Sequence, residues 1–517
     1  MSTEADLILR GGSIYPLGRY GLRPVSHLAM RASRVVAAGG AEVMGLRTPS
    51  TRLLDLAGGA ALPGFDDAHA HVVYNGLSSF WADLTGTPTI PRLLERMRRH
   101  AAKLPAGEWA LGRGYSTLAL QEGRPPTRSE LDSVTGSRPC FIDERGGHSR
   151  VGNSAALAAA GVTESTPDPP GGAIGRADDG SLDGRLLETA MRLVADVQPP
   201  PTLARRQQGI LRSQRLLLSR GVTSAGAAVN RGFADDLFSY QQLAQAKRLR
   251  MRINAFVSWE LLGDAAGLGL ARAFGGEQVV VGPIKVFVDG GAGPGNAALR
   301  AGGGTWRTPP DELRRIVTEA QAAGLQVAAH AIGDAAIAAM CDAVDRAGPA
   351  ARARRHRVEH CTVCPADLRS RLSALGMVAV MQPLFLSLGR QRAESFFGPE
   401  GAKAVAAHRA ILAAGVPIAF SSDLPVVPDP NPWPGLRLAV EDDLHPLTPL
   451  QALTAYTAGG AWAANQEGFR GTLEPGRAAD LQVYTRDPIK EGPAAWNERL
   501  RPSAVLVGGA LVFRSRR

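Results

Sequence analysis

The stretch LPGFDDAHAH (62–71) is an apolar start, a glycine turn and an extended run that closes on His69-Ala70-His71. In an extended strand, residues i and i+2 point the same way, so the imidazoles of His69 and His71 can aim at one cation. A lone H-x-H pair is a weak signal that surface histidines explain well. Its weight depends on what the rest of the chain supplies.

Further on, short apolar runs alternate with helical segments. GVTSAGA (221–227), RINAFVSW (252–259), VVVGPIKVFVDG (279–290), LQVAAHAIGD (325–334), HRVEHC (356–361), MVAVMQP (377–383) and VPIAFSSD (416–423) all read as buried strands. Amphipathic stretches such as PDELRRIVTEAQAAG and PADLRSRLSALG fall between them. With LPGFDDAHAH as the first, this is an eightfold βα alternation, the pattern of an α/β protein with a TIM-like (β/α)8 barrel. A long segment between the first two strands holds helices and turns of its own (PRLLERMRRHAAKLP, NSAALAAAGV, RLLETAMRLVADV) and reads as an inserted subdomain. Both chain ends carry short β-like runs punctuated by glycine (ADLILRGGSIYPL; SAVLVGGALVFRSR), each too small to bury a core alone. The expected organisation is a composite β-sandwich from 1–60 and 470–517, a barrel from 61–84 and 202–469, and an insert at 85–201 covering the site.

Active sites of such barrels lie at the C-terminal ends of the strands. There the fourth strand carries Lys285, the fifth His330, the sixth His360 and the eighth Asp423. The spacings from Lys285 to His330 and from His330 to His360 each match one βα unit. The lysine is the most telling. The chain has five lysines among 58 basic residues, yet one lies inside VVVGPIKVFVDG. A buried ammonium is costly, so it needs either an acid such as Asp289 beside it or a chemical purpose. A neutral lysine amine adds carbon dioxide to give a carbamate that bridges two cations, which arginine cannot do.

These residues, in this order, resemble the amidohydrolase superfamily and within it the YtcJ-like branch. The likeness runs through LPGFDDAHAH, GGHSRVGNSAAL, GGAIGRADDGSLDGRLLE, IKVFVDGGAGPGNAAL, HAIGDAA, RVEHC, MQP, SSDLPV and GTLEPGRAADLQVY. The resemblance implies a divalent metal site, commonly two zinc ions. His69, His71 and Asp423 would hold one ion and His330 and His360 the other, with carboxylated Lys285 between them. It implies metal-activated water as nucleophile and Asp423 as the general base and acid. The implied activity is hydrolysis of a C–N bond in a small molecule: an amide, N-formyl group or cyclic amide. Ester or lactone hydrolysis, a non-hydrolytic reaction at the same metals, and a silent binding homologue are the alternatives. His148, in GGHSRVGNSAAL, falls in a stretch like the branch's substrate-facing segment. Arg113 and Tyr115 stand where the family often has Arg-Gly-Trp, and the tyrosine implies a different pocket shape. Asn153 reads as a helix cap. Asp289, Gln382 and Glu188 are equally readable as structural or catalytic.

The net charge of +10 is spread without a basic run, and aromatic residues make up 5%, which argues against nucleic-acid binding. The opening MSTEADLILRGG has no basic segment followed by an apolar core, and no apolar run reaches membrane-spanning length. Four cysteines do not make a disulfide framework. A cytoplasmic enzyme that meets neither membrane nor nucleic acid is expected, with a homodimer as the default assembly. Cys361 and Cys364 form a C-x-x-C without a thioredoxin-like context. The loop DGGAGPGNAAL lacks the third glycine of a dinucleotide fingerprint and reads as a strand-to-loop turn.

Overall fold

Strands buried on both faces read as nearly continuous small apolar runs, and helices must cover them on the outside. In the computed structural model, which describes residues 4–229, 233–270, 274–292 and 295–515, eight such strands form one parallel sheet. They are β1 (Phe65–Ala70), β2 (Val222–Ala227), β3 (Arg252–Ser258), β4 (Val279–Phe287), β5 (Val327–Ala331), β6 (Arg357–His360), β7 (Val378–Met381) and β8 (Ile418–Phe420). Each pairs in parallel with the next along the chain. Just past the strand ends, Asp423 N–H donates to His69 O at 2.9 Å and His71 N–H donates to Leu424 O at 2.8 Å. These bonds bring the last strand back to the first, giving the near-closed barrel that the strand count predicts. The turn expected at DGGAGPGNAAL includes Gly293 and Pro294, which lie outside the described residues.

LPGFDDAHAH divides into two elements. Ala60–Pro63 pairs antiparallel with Leu481–Tyr484 from the far end of the chain, and β1 begins after Gly64. A Cβ on Gly64 would lie 2.1 Å from the Thr223 hydroxyl, so only glycine lets the chain cross at this point. The five-stranded sheet containing that pair faces a four-stranded sheet (Leu7–Arg10, His27–Arg31, Arg34–Gly39, Arg52–Asp55) across Leu9, Leu28, Leu481 and Leu506. Arg252 of β3 reaches Asp480 in a buried two-contact ion pair, at 2.6 and 2.9 Å, tying the terminal sheets to the barrel wall.

The segment between β1 and β2 differs from its sequence reading. Besides helices it contains a six-stranded mixed sheet, ordered Gly172–Arg176, Leu182–Glu188, Ser149–Gly152, Cys140–Glu144, Ala110–Tyr115, Ala82–Asp83. The strands are short and interrupted by glycines, as in ALGRGY and GAIGR, so no strand-length apolar run marks them. The segment leaves the barrel through a helix at Val72–Ser78 and returns through another at Leu203–Leu218. No helix among the described residues is long and apolar enough to cross a membrane.

Candidate functional site

A cavity of about 1120 Å³ occupies the C-terminal mouth of the barrel, between the strand ends and the inserted sheet. His71, Lys285, His330, His360 and Asp423 line it from the barrel, and Arg113 and His148 from the insert. The i, i+2 geometry of β1 brings the His69 and His71 rings to 5.3 Å, and Asp423 Oδ1 lies 3.4 Å from His71 Nε2 and 3.7 Å from His69 Nε2. His69, His71 and Asp423 can each turn one ligand atom into a group within 4.8 Å. The rings of His330 and His360 lie 4.6 Å apart, and the His360 ring is 5.2 Å from that of His69.

Lys285 is 2% exposed, and its Nζ has no hydrogen-bond partner among the described residues. The ion pair with Asp289 considered above is not formed. The Asp289 carboxylate instead accepts backbone N–H bonds from Ala298, Ile332 and Gly333, lashing the loops after β4 and β5 together. Burial pushes the Lys285 amine down to about 8. It likewise pushes Asp289 up to about 7 against those three bonds. Besides Lys285 Nζ, three more buried atoms of the cluster are unpartnered: His69 Nε2, His71 Nδ1 and Asp423 Oδ1. Orphaned buried polar atoms are rare and costly, and a nitrogen and oxygen set of this kind is what a divalent cation takes. The residues therefore fit the metal that their sequence pattern implies.

The histidines are positioned from behind. His69 Nδ1 meets Glu359 Oε2 at 2.5 Å, and Arg357 holds the same carboxylate through Nε and Nη2 at 2.7 and 3.0 Å. Burial alone would raise Glu359, but Arg357 and His69 hold it well below the usual carboxylate range. Burial, with the field of Lys285, drops His69 to about 3, so it presents a neutral imidazole. A carboxylate behind a ligand histidine fixes its tautomer and raises its basicity. His360 Nδ1 is bonded to Gln382 Oε1 at 2.9 Å, and Gln382 Nε2 donates to Ser421 Oγ at 2.8 Å. Consecutive strand residues face opposite ways, yet Glu359 and His360 both turn inward. A φ of 73° at His360 makes this fit, and Asp423 has a φ of 54°. Left-handed backbone at non-glycine residues is costly and concentrates at functional sites. Burial opposes ionisation of Asp423, but the neighbouring imidazoles of His71, His360 and His69 hold its carboxyl well below the ordinary range.

His148 reaches the cavity from the insert. Its Nδ1 lies 3.0 Å from both oxygens of Glu188, and its ring is 5.2 Å from that of His330. Arg113 donates from Nε to Ser78 O at 3.1 Å and lines the cavity wall. Tyr115 does not. It packs into the insert's apolar core with Leu84, Met97 and Ile142, away from the lining residues. Gly114, with a φ of 85°, and a bulge opposite it break the alternation that would have kept residues 113 and 115 on one face. Asn153 caps its helix, accepting from Ala156 N. Cys361 and Cys364 are buried, and the contact between them together with burial raises Cys361 well above the thiol range.

Three residues of this site had no weight in the sequence reading: Glu359, Arg357 and Arg307. The first two sit at i and i+2 of β6, where an apolar interior is the default expectation. Arg307 follows a glycine-rich stretch that matches no motif.

The amidohydrolase family model matches residues 52–513. YtcJ of Bacillus subtilis (strain 168), which carries an amidohydrolase name, is 25% identical over 490 residues, spanning 90% of this chain and 91% of that protein. The N-substituted formamide deformylase of Arthrobacter pascens is 28% identical over 478 residues, 87% of each chain. A metal-dependent hydrolase from Pyrococcus furiosus matches in three dimensions with a TM-score of 0.75 at 28% identity, over 93% of this chain and 99% of that one.

Proposed function

This chain belongs to the amidohydrolase family, and from that premise we propose that it hydrolyses a C–N bond of a small molecule: an amide, an N-formyl group or a cyclic amide. The observation that carries the reading is the group of unpartnered buried atoms on His71, Lys285 and Asp423, which line one cavity, and on His69 packed behind them. His69, His71 and Asp423 would hold one divalent cation and His330 and His360 a second, with zinc the expected ion. Lys285 would lie between them as a carbamate, formed when its neutral amine adds carbon dioxide and releases a proton. When bound, the cations acidify water and polarise a carbonyl oxygen.

The chain's own groups do the rest. Asp423, kept ionised by the histidines around it, takes a proton from the attacking water as its oxygen bonds to the carbonyl carbon. The same carboxyl returns that proton to the nitrogen as the C–N bond breaks. His148, fixed by Glu188, and Arg113 contact the substrate from the insert, which closes over the mouth and limits the access of bulk water. Relatives named for amidohydrolase and formamide deformylase activity support this choice of bond.

The test is turnover of an amide and N-formyl library by protein purified without chelator, with metal content measured in parallel. About two equivalents of metal per chain are expected, with activity abolished by chelation and restored by a divalent cation. The Asp423→Asn variant should lose a factor of about 10²–10⁴ in rate. Full activity in that variant would overturn the mechanism.

A further inference from the structure

We propose that the substrate of this cavity carries a carboxylate beside its scissile amide, and that Arg307 is the residue that receives it. The inference rests on the hydrolase reading above and adds the substrate's charge to it.

Arg307 lines the cavity on a rigid support. Residues 305–308 run back along the end of β4, with Gly290 N–H donating to Thr305 O and Arg307 N–H to Val288 O, each at 3.0 Å. Its guanidinium lies 4.3 Å from the centroid of the Phe287 ring, and Lys285 Nζ lies 4.4 Å from the same centroid. One aromatic ring thus spaces a guanidinium from the reacting centre. A carboxylate seated on Arg307 would leave an amide a few bonds away at Asp423 and Lys285.

The guanidinium is also short of partners. It has five N–H donors in a planar fork suited to a carboxylate. One nitrogen lies 3.3 Å from Glu188 Oε2, while Nε is buried with no partner among the described residues. Glu188 is in any case shared, because His148 and Asn296 Nδ2 also occupy its oxygens at 3.0 and 2.9 Å. Three other arginines that line the cavity already have carboxylate partners. Arg150 grips Asp143 with two bonds, Arg206 pairs with Asp235 and Asp236, and Arg192 reaches Glu260 at 2.9 Å. A largely buried cation whose one carboxylate contact is long and shared lowers its energy by gaining an anionic partner. Burial already depresses the Arg307 pKa, the mark of a charge that is incompletely matched. The aromatic wall of Trp81, Trp109 and Phe385 suits an organic acid with an apolar body.

Two probe pairs test this on the metal-loaded enzyme. In calorimetry, 3-phenylpropionate should bind at least about tenfold more tightly than the neutral 3-phenylpropanol. Arg307→Gln should abolish that preference without weakening the alcohol, and Arg307→Lys should keep part of it. In turnover, Arg307→Gln should raise KM for N-formylphenylalanine about 10- to 100-fold with little change in kcat, and should affect N-formylphenethylamine far less. Equal losses on charged and neutral probes would make Arg307 structural and overturn the inference. So would acid binding that survives Arg307→Gln and vanishes on chelation, since the carboxylate would then belong to the metals. Should Arg307→Gln not fold, an unchanged acid preference in Arg307→Lys would count against the inference. Arg307-dependent acid binding without hydrolysis of either formamide would uphold the inference and count against the hydrolase reading. Hydrolysis of both formamides without charge preference would do the reverse.

Discussion

His408 is a second buried histidine environment, remote in role from the site. It is fully buried against Phe420, at 5.1 Å between ring centroids, and neither ring nitrogen has a partner among the described residues. Burial, with the field of His445 adding to it, pushes its pKa down to about 3. The folded state therefore holds the ring neutral where the unfolded chain, at about 6.5, would protonate it. Its stability contribution is complete above pH ~6.5 and falls by about 1.4 kcal/mol per pH unit below that, until the folded pKa is reached. Thermal melts from pH 7.5 to 5 should show the wild type losing Tm faster than His408→Leu. Parallel curves would remove His408 as the cause. By residue type alone this histidine is no different from His330, which only its place at a strand end marks out. Lys285, in contrast, was legible because a charge inside an apolar run violates a strong rule. Glu359 was not, because its meaning lies in contacts with His69 and Arg357, which only the closed barrel brings together.

At the level of elements, the insert hangs from one crossing of two helices. Gly76 in Val72–Ser78 and Gly209 in Leu203–Leu218 meet so closely that a Cβ on Gly76 would lie 2.2 Å from the Gly209 carbonyl carbon. Ser213 Oγ accepts from Asn75 Nδ2 and donates to Val72 O, at 2.9 and 2.7 Å, locking the same crossing. Gly76→Ala must push the helices apart, which typically costs about 1–3 kcal/mol. Gly45→Ala, where a Cβ meets nothing within 4 Å, is the control. Calorimetric melting should lower Tm in the first variant and leave the second near wild type. Equal behaviour would show that the crossing relaxes freely. The eight barrel strands were readable from sequence because long apolar βα units leave a strong period. The six-stranded insert sheet was not, since strands such as Ser149–Gly152 and Ala82–Asp83 are too short to show alternation. Tyr115 was misjudged for the same local reason, the positive φ of Gly114.

The molecule as a whole depends on its far end. Leu481–Tyr484 pairs with Ala60–Pro63, Gln482 Nε2 donates to Pro63 O at 2.9 Å, and Asp480 neutralises the buried Arg252. A chain ended after Arg477 keeps every proposed metal ligand yet leaves Arg252 as an unpaired buried charge and strips a sheet that shares the core. Removing one partner of such a pair costs about 3–5 kcal/mol by itself. Limited proteolysis should find that chain readily cleaved, without the circular dichroism of the intact fold. A protease-resistant truncated chain that still takes up metal would refute this dependence.

The hydrogen bonds from Asp423 N–H to His69 O and from His71 N–H to Leu424 O also order events in time. A chain emerging from the ribosome presents His69 and His71 early, but Asp423 comes after seven strands and the whole insert. Nascent domains compact as they appear, and contacts distant in sequence form late. During synthesis the two histidines are thus exposed as a pair before the carboxylate that faces them in the folded chain exists. On the proposed mechanism, competence arrives only after Asp423 has been added, so chains interrupted before that residue are born inactive.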